Sequence, residues 1–191
     1  MQGGFKSVLN CFGLLWLRVA AGGMMALGHG LPKVQNFEQY STMFPPLFGL
    51  DQKQTLMLAI FGELVCAALV ALGLFTRLAA LSVAITMVVA ICVAHAADPL
   101  FMTGATVITT ADGKVHVGTV TTDTEKEVIL TTPNGSVTLP RSEIKTRSQQ
   151  GSKEPAVLFL IPFAALVFTG PGKVSVDALL FRGKKQVMVK V

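Results

Sequence analysis

From Thr55 to Ala97 the chain reads TLMLAIFGELVCAALVALGLFTRLAALSVAITMVVAICVAHAA, and its only charged residues are Glu63 and Arg77. A helix needs about 20 predominantly apolar residues to cross a hydrocarbon core about 30 Å thick. This stretch holds two such runs, 55–75 and 78–97, split by the polar pair Thr76-Arg77. So tight a connection makes the two helices antiparallel neighbours. Upstream, a further apolar block runs from Val8 to Leu31. It is too long for a cleaved signal peptide, and Arg18 sits where an uninterrupted apolar region would be required. Downstream, a shorter block runs from Pro155 to Thr169 with Pro162 inside it. A proline kink is tolerable there if neighbouring helices cover the freed carbonyl. Gly170-Pro171-Gly172 ends that block. A last amphipathic turn, 174–181, leads to a basic tail, 182–191, with Arg182, Lys184, Lys185 and Lys190.

The 191 residues are 51% hydrophobic and 14% charged, against about 25% charged in soluble domains. Mean hydropathy is +0.59. The apolar residues gather in blocks and the charges in the gaps, which is the signature of a membrane protein. The net charge of +5 does not point to nucleic acid, because no basic patch is interleaved with aromatics. Cys11, Cys66 and Cys92 all lie in apolar blocks without a CxxC pair, so they read as packing residues. No P-loop, nucleophile elbow, zinc-ligand spacing or dinucleotide fingerprint occurs.

Between 103 and 152 the character changes to polar, with Thr, Val and Gly prominent. Apolar and polar residues alternate, and Ala111-Asp112-Gly113 and Pro133-Asn134-Gly135 carry hairpin-turn chemistry. Strands are expected near 105–110, 114–122, 127–132, 136–139 and 143–146. Five strands this short need closure to bury a core, which predicts an SH3-like or Sm-like barrel. The expected fold is therefore a four-helix membrane bundle, 8–102 with 153–181, holding an inserted all-β module, 103–152. Basic residues near helix ends in short loops place both termini in the cytoplasm of a bacterial cell. The β module then lies in the periplasm.

Ionisable groups within spans are costly and mark sites by default. Arg18 lies about ten residues into the first span, roughly 15 Å deep, and Glu63 roughly 18 Å from the same face. Their matched depth predicts an Arg18–Glu63 ion pair, which serves either function or helix register. Nearer the outer face, His29 and Lys33 end the first span, His95 ends the third and Glu154 opens the fourth. Two readings fit these four residues. One is an interfacial polar belt. The other is a site for proton exchange with a quinone headgroup, metal binding or bis-His haem ligation, of which haem is the least required by the spacing. His116 reads as an exposed strand residue.

Leu17-Arg18-Val19 through Gly28-His29-Gly30-Leu31-Pro32-Lys33 resembles the first helix of the DoxX family. Gly62-Glu63-Leu64 through Gly73-Leu74-Phe75-Thr76-Arg77 resembles that family's second helix and tight turn. Gly170-Pro171-Gly172-Lys173-Val174-Ser175-Val176-Asp177 resembles its closing motif. The resemblance implies structural roles for Gly28, Arg77, Gly170, Gly172, Ser175 and Asp177. It also implies a four-helix membrane protein associated with respiratory or sulfur-redox complexes, such as a small subunit of thiosulfate:quinone oxidoreductase. The insert, with Asp112-Gly113-Lys114-Val115-His116-Val117-Gly118 and Leu139-Pro140-Arg141-Ser142-Glu143-Ile144, resembles small β domains attached to cytochrome-like proteins of planctomycete-type bacteria. The expected role is an accessory subunit bordering a quinone site, with the bilayer and other membrane or periplasmic subunits as partners. The alternative is a non-catalytic anchor whose β module docks a periplasmic partner.

Overall fold

The structure is a computed structural model that describes residues 2–181, with side chains from Leu9 to Leu180. The basic tail lies outside the described residues. The molecule divides into two units, a helical one and a β unit over His95–Pro155.

Besides a 3-10 turn at Arg141–Glu143, six helices are described. They are α1 (residues 2–35), α2 (Phe37–Met43), α3 (Gln52–Leu72), α4 (Thr76–Ala94), α5 (Glu154–Thr169) and the short α6 (Val176–Phe181). Leu9–Gln35 of α1, α3 and α4 are long and apolar enough to cross a membrane. The fourth expected span falls short. α5 has 16 residues, about 24 Å of helix, against a hydrocarbon core of about 30 Å. Pro162 stays inside α5 without ending it.

The helices are built inside out relative to a soluble bundle. On α1 the buried residues are Arg18, Ala21, Gly22, Met25, Ala26 and Gly30, a helical stripe of mostly small side chains. Its outer face carries Phe12, Trp16, Met24 and Leu27, all exposed. Small residues inside and large ones outside suit packing in lipid, where close backbone contact rather than water exclusion holds helices together. This stripe shares one core with Ala67 and Val70 of α3, Ala80 and Val83 of α4, and Phe163 and Leu166 of α5. At Gly22 a Cβ would stand 2.6 Å from the Ala67 carbonyl oxygen, and at Gly30 2.7 Å from the Leu64 nitrogen. Glycine at these two positions sets the α1–α3 spacing.

Each spanning helix also contains one wide, π-type turn: Ala26–Gly30, Phe61–Cys66 and Ala90–Ala94. Such turns often mark functional sites. The first precedes Pro32, which has no N–H to give to the preceding turn. There the Leu31 N–H reaches back to the Ala26 carbonyl instead, so the helix runs on to Gln35.

The α3–α4 connection shows what the closing motif does. Gly73 (φ 76°) and Phe75 (φ 47°) are left-handed, which is costly for phenylalanine. Asp177 supports the turn from about a hundred residues away. Its carboxylate accepts from the Phe75 N–H (2.8 Å), the Thr76 N–H (2.9 Å) and the Thr76 hydroxyl (2.9 Å), and its own N–H donates to the Gly73 carbonyl (2.8 Å). It is in effect a remote N-cap for α4. Asp177→Ala should therefore cost about 2 kcal/mol, read as a lowered thermal midpoint of the protein in detergent. An unchanged midpoint would show that the turn holds itself.

In the β unit all five expected strands form: β1 (Thr106–Thr110), β2 (Val115–Asp123), β3 (Glu127–Thr132), β4 (Gly135–Pro140) and β5 (Ile144–Gln149). They make one antiparallel sheet ordered β4-β3-β2-β1-β5. The expected barrel is not closed, because β4 and β5 are edges that do not pair with each other. A bulge between Val120 and Thr122 of β2 bends the sheet. That bend suffices to bury Ile108, Val128, Leu130 and Leu139 without a closing ladder. Pro140, Lys145 and Arg147 stand on the edge strands, where such residues discourage further pairing. Side chains link β2 to the β5 end instead. Asp123 pairs with Arg147 (2.6 Å) and with Arg141, and the Arg147 hydrogen bond holds its carboxyl below the usual range. His116 is half-buried opposite Ile108, not exposed.

Candidate functional site

The expected Arg18–Glu63 pair does not form. α1 starts at Gln2, well before Val8, and lies antiparallel to α3 so that Arg18 stands beside Gly73. Gly73 is about ten residues, roughly 15 Å of helix, from Glu63. Arg18 is 1% exposed. It donates from Nη2 to the Val174 carbonyl, while Nε and Nη1 have no partner among the described residues. It thus joins α1 to the closing loop, on the side where Arg77 donates to the Phe168 carbonyl (3.3 Å). Gly170 (φ 74°) lies against the Arg77 guanidinium and Gly172 (φ 78°) against Leu14. The Ser175 hydroxyl donates to the Gly172 carbonyl (2.9 Å) and accepts from the Ala178 N–H (3.0 Å). These motif residues are therefore the fastening of one end of the bundle. Gly28, grouped with them by motif, lies in the α1 wide turn with open space at its Cα.

Glu63 has a different partner. It sits in the wide turn of α3, and Lys33, in the last turn of α1, reaches it through Nζ to Oε2. Both side chains are largely buried, at 15% and 8% exposed. Lys33 also approaches the His29 carbonyl (3.4 Å), one turn earlier on the same face. The His29 ring meets the Phe159 ring edge-on at 5.1 Å. The close approach at Gly30 brings α1 and α3 near enough for the pair to close. Of the four residues expected to converge, His29 and Lys33 are thus neighbours in the helical unit. His95 and Glu154 belong to the β unit, each with local partners. His95 Nδ1 is 2.7 Å from Asp98 Oδ2, and Glu154 accepts from the Met102 N–H (3.2 Å).

Glu63 also lines a cavity of about 370 Å³. Its walls are Leu58, Ala59 and Phe61 of α3 and Ile85, Val89 and Ala90 of α4. The segment after α2 covers it with Phe44, Pro45, Leu47, Phe48 and Leu50. Leu58, Phe61 and Ile85 are more than half exposed, so in a bilayer the cavity borders lipid between two spans. Glu63 is the one ionisable residue among the lining residues. Thr55 and Thr86 also face the cavity, but their hydroxyls donate to carbonyls of their own helices. An apolar cavity with few convergent polar groups is the usual form of a small-molecule site.

The covering segment escaped the sequence reading. Its signal was present as Phe48-Gly49, both left-handed (φ 53° and 79°), and as Asp51-Gln52-Lys53-Gln54, which forms a capping box at the start of α3.

Compared with known families, residues 13–96 match the DoxX family model. That span contains His29, Lys33, Glu63 and every residue lining the cavity, and leaves the β sheet outside. No curated protein matches the chain.

Proposed function

We propose that this chain, a membrane protein whose residues 13–96 are its DoxX-family domain, serves as an accessory subunit of a respiratory or sulfur-redox complex and borders a quinone site. The observation that carries the reading is the lipid-facing cavity with Glu63 in its wall and Lys33 behind it. A quinone is an apolar chain with a small polar head. The apolar walls between α3 and α4 suit the chain, and the one carboxylate supplies a proton acceptor where the head exchanges protons during redox turnover. We place α5 as a fourth, short crossing, since Phe163 and Leu166 pack in the same core as the three longer helices. Both termini then lie on the cytoplasmic side of a bacterial inner membrane and the β unit on the periplasmic side, available to partner subunits.

Glu63→Gln tests the reading. Glutamine keeps an acceptor for Lys33 but removes the charge, so the protein should still accumulate in membranes. Quinone-linked oxidation in those membranes should fall by about tenfold or more, the loss of one charge-assisted interaction. Undiminished oxidation would leave the anchor role as the better account.

A further inference from the structure

Apart from the Ser82 hydroxyl, the polar groups around the cavity are one-sided. In its ion pair Glu63 is a carboxylate and can only accept hydrogen bonds. Lys33 occupies Oε2. Oε1 has no hydrogen bond among the described residues, yet it is not among the buried polar atoms left without a partner. It therefore keeps accessible surface on a side chain that lines the cavity. Lys33 is not a lining residue, so the cation stands behind the carboxylate rather than facing a ligand. Thr55 and Thr86 have already committed their protons to the Asp51 and Ser82 carbonyls. Among the lining side chains only the Ser82 hydroxyl makes no described hydrogen bond, and it can give or take.

We infer that the cavity recognises its ligand through a hydroxyl donated to Glu63 Oε1. Resting on the quinone reading above, this means that it holds the reduced dihydroxy form, the quinol, in preference to the quinone. A quinol hydroxyl completes the carboxylate's open acceptor. A quinone offers only carbonyl oxygens, whose lone pairs face a negative charge with no proton between them. The apolar walls treat the two forms alike, so Glu63 sets the difference. The same donor chemistry is present in a lipid alcohol such as diacylglycerol, which the experiment must separate.

The test uses the full chain in phosphatidylcholine nanodiscs, with retention of decylubiquinol, decylubiquinone and diacylglycerol measured at equilibrium under argon. The expected result is quinol binding about tenfold tighter than quinone, the ratio one charge-assisted hydrogen bond gives. Glu63→Gln, which can present an N–H, should erase that ratio. Equal or tighter retention of the quinone overturns the inference and leaves the quinone reading standing. Retention of diacylglycerol alone overturns the quinone reading and supports hydroxyl recognition. Retention of none overturns both. Should Glu63→Gln fail to accumulate, Ala59→Phe fills the cavity while leaving Lys33 and Glu63 themselves unchanged. It should weaken both ring forms by a similar factor, and unchanged retention would place their site elsewhere and overturn the inference.

Discussion

Glu63→Ala is expected to cost the protein about 3–5 kcal/mol of stability, and Lys33→Ala,Glu63→Ala together markedly less. The reason lies in what each change leaves behind. With Glu63 gone, the Lys33 side chain, only 15% exposed in the intact pair, keeps just the 3.4 Å contact to the His29 carbonyl. Desolvating an unpaired charge is far more costly than making a paired one is favourable. Lys33 has one partial escape, since it lies in the last turn of α1 and its four-carbon stem can snorkel toward the interface. The cost should therefore fall toward the lower end of the range, and Lys33→Ala, which strands the less mobile Glu63, should be at least as damaging. Removing both charges leaves an apolar contact and no stranded ion. Thermal unfolding in detergent, run on the two single variants and the double, measures the coupling directly. If the double variant is as unstable as the sum of the singles, the pair is not a unit and the assignment of Lys33 to Glu63 fails.

The second large effect is expected at Gly30. Its Cβ position lies 2.7 Å from the Leu64 nitrogen and Cβ and 2.8 Å from the Leu64 Cα. Two of those atoms are helix backbone, which cannot swing aside as the end of a flexible side chain does. Gly30→Val must push α1 away from α3 locally, at a cost of about 1–3 kcal/mol for overpacking. It also stands one turn from Lys33, so the displacement should stretch the ion pair and add to the loss. Gly28→Val provides the contrast. Gly28 lies in the same wide turn but has nothing within 4 Å of a Cβ, so that variant should lose little. Thermal midpoints of the two variants in detergent decide the matter. A Gly28→Val variant as unstable as Gly30→Val would mean that backbone freedom in the wide turn, not the helix contact, is what glycine provides there.

Much of the fold was legible because its signals are local. Runs of apolar residues, the Thr76-Arg77 break and the turn residues at Asp112-Gly113 and Asn134-Gly135 each specify an element from within a few residues of it. The partner of Glu63 is not legible in the sequence, for a reason equally physical. The apolar block starts at Val8, but the helix extends through polar residues to Gln2 and beyond Leu31 to Gln35. An apolar run marks what lipid covers, not where a helix begins or stops, and a register offset of about ten residues at 1.5 Å each sets Arg18 beside Gly73 instead of Glu63. Whether the sheet closes into a barrel is likewise not a local property. Alternation and turns predict strands, but closure depends on the register shifts in β2 and β1 and on whether β4 meets β5, which no local pattern encodes.

The sequence by itself therefore pointed to four membrane helices, three of which are long enough to cross, to a five-stranded β unit interrupting the chain, and to Arg18, Glu63, His29, Lys33, His95 and Glu154 as the ionisable groups to be accounted for. Only the tertiary structure decided which of them meet. It put Arg18 with the closing loop and Lys33 with Glu63, and it raised a cavity beside that carboxylate from residues of three separate segments. The deciding quantity was the register of α1 against α3, set where glycine lets two backbones touch, and register is a property of a packed pair that neither helix carries alone.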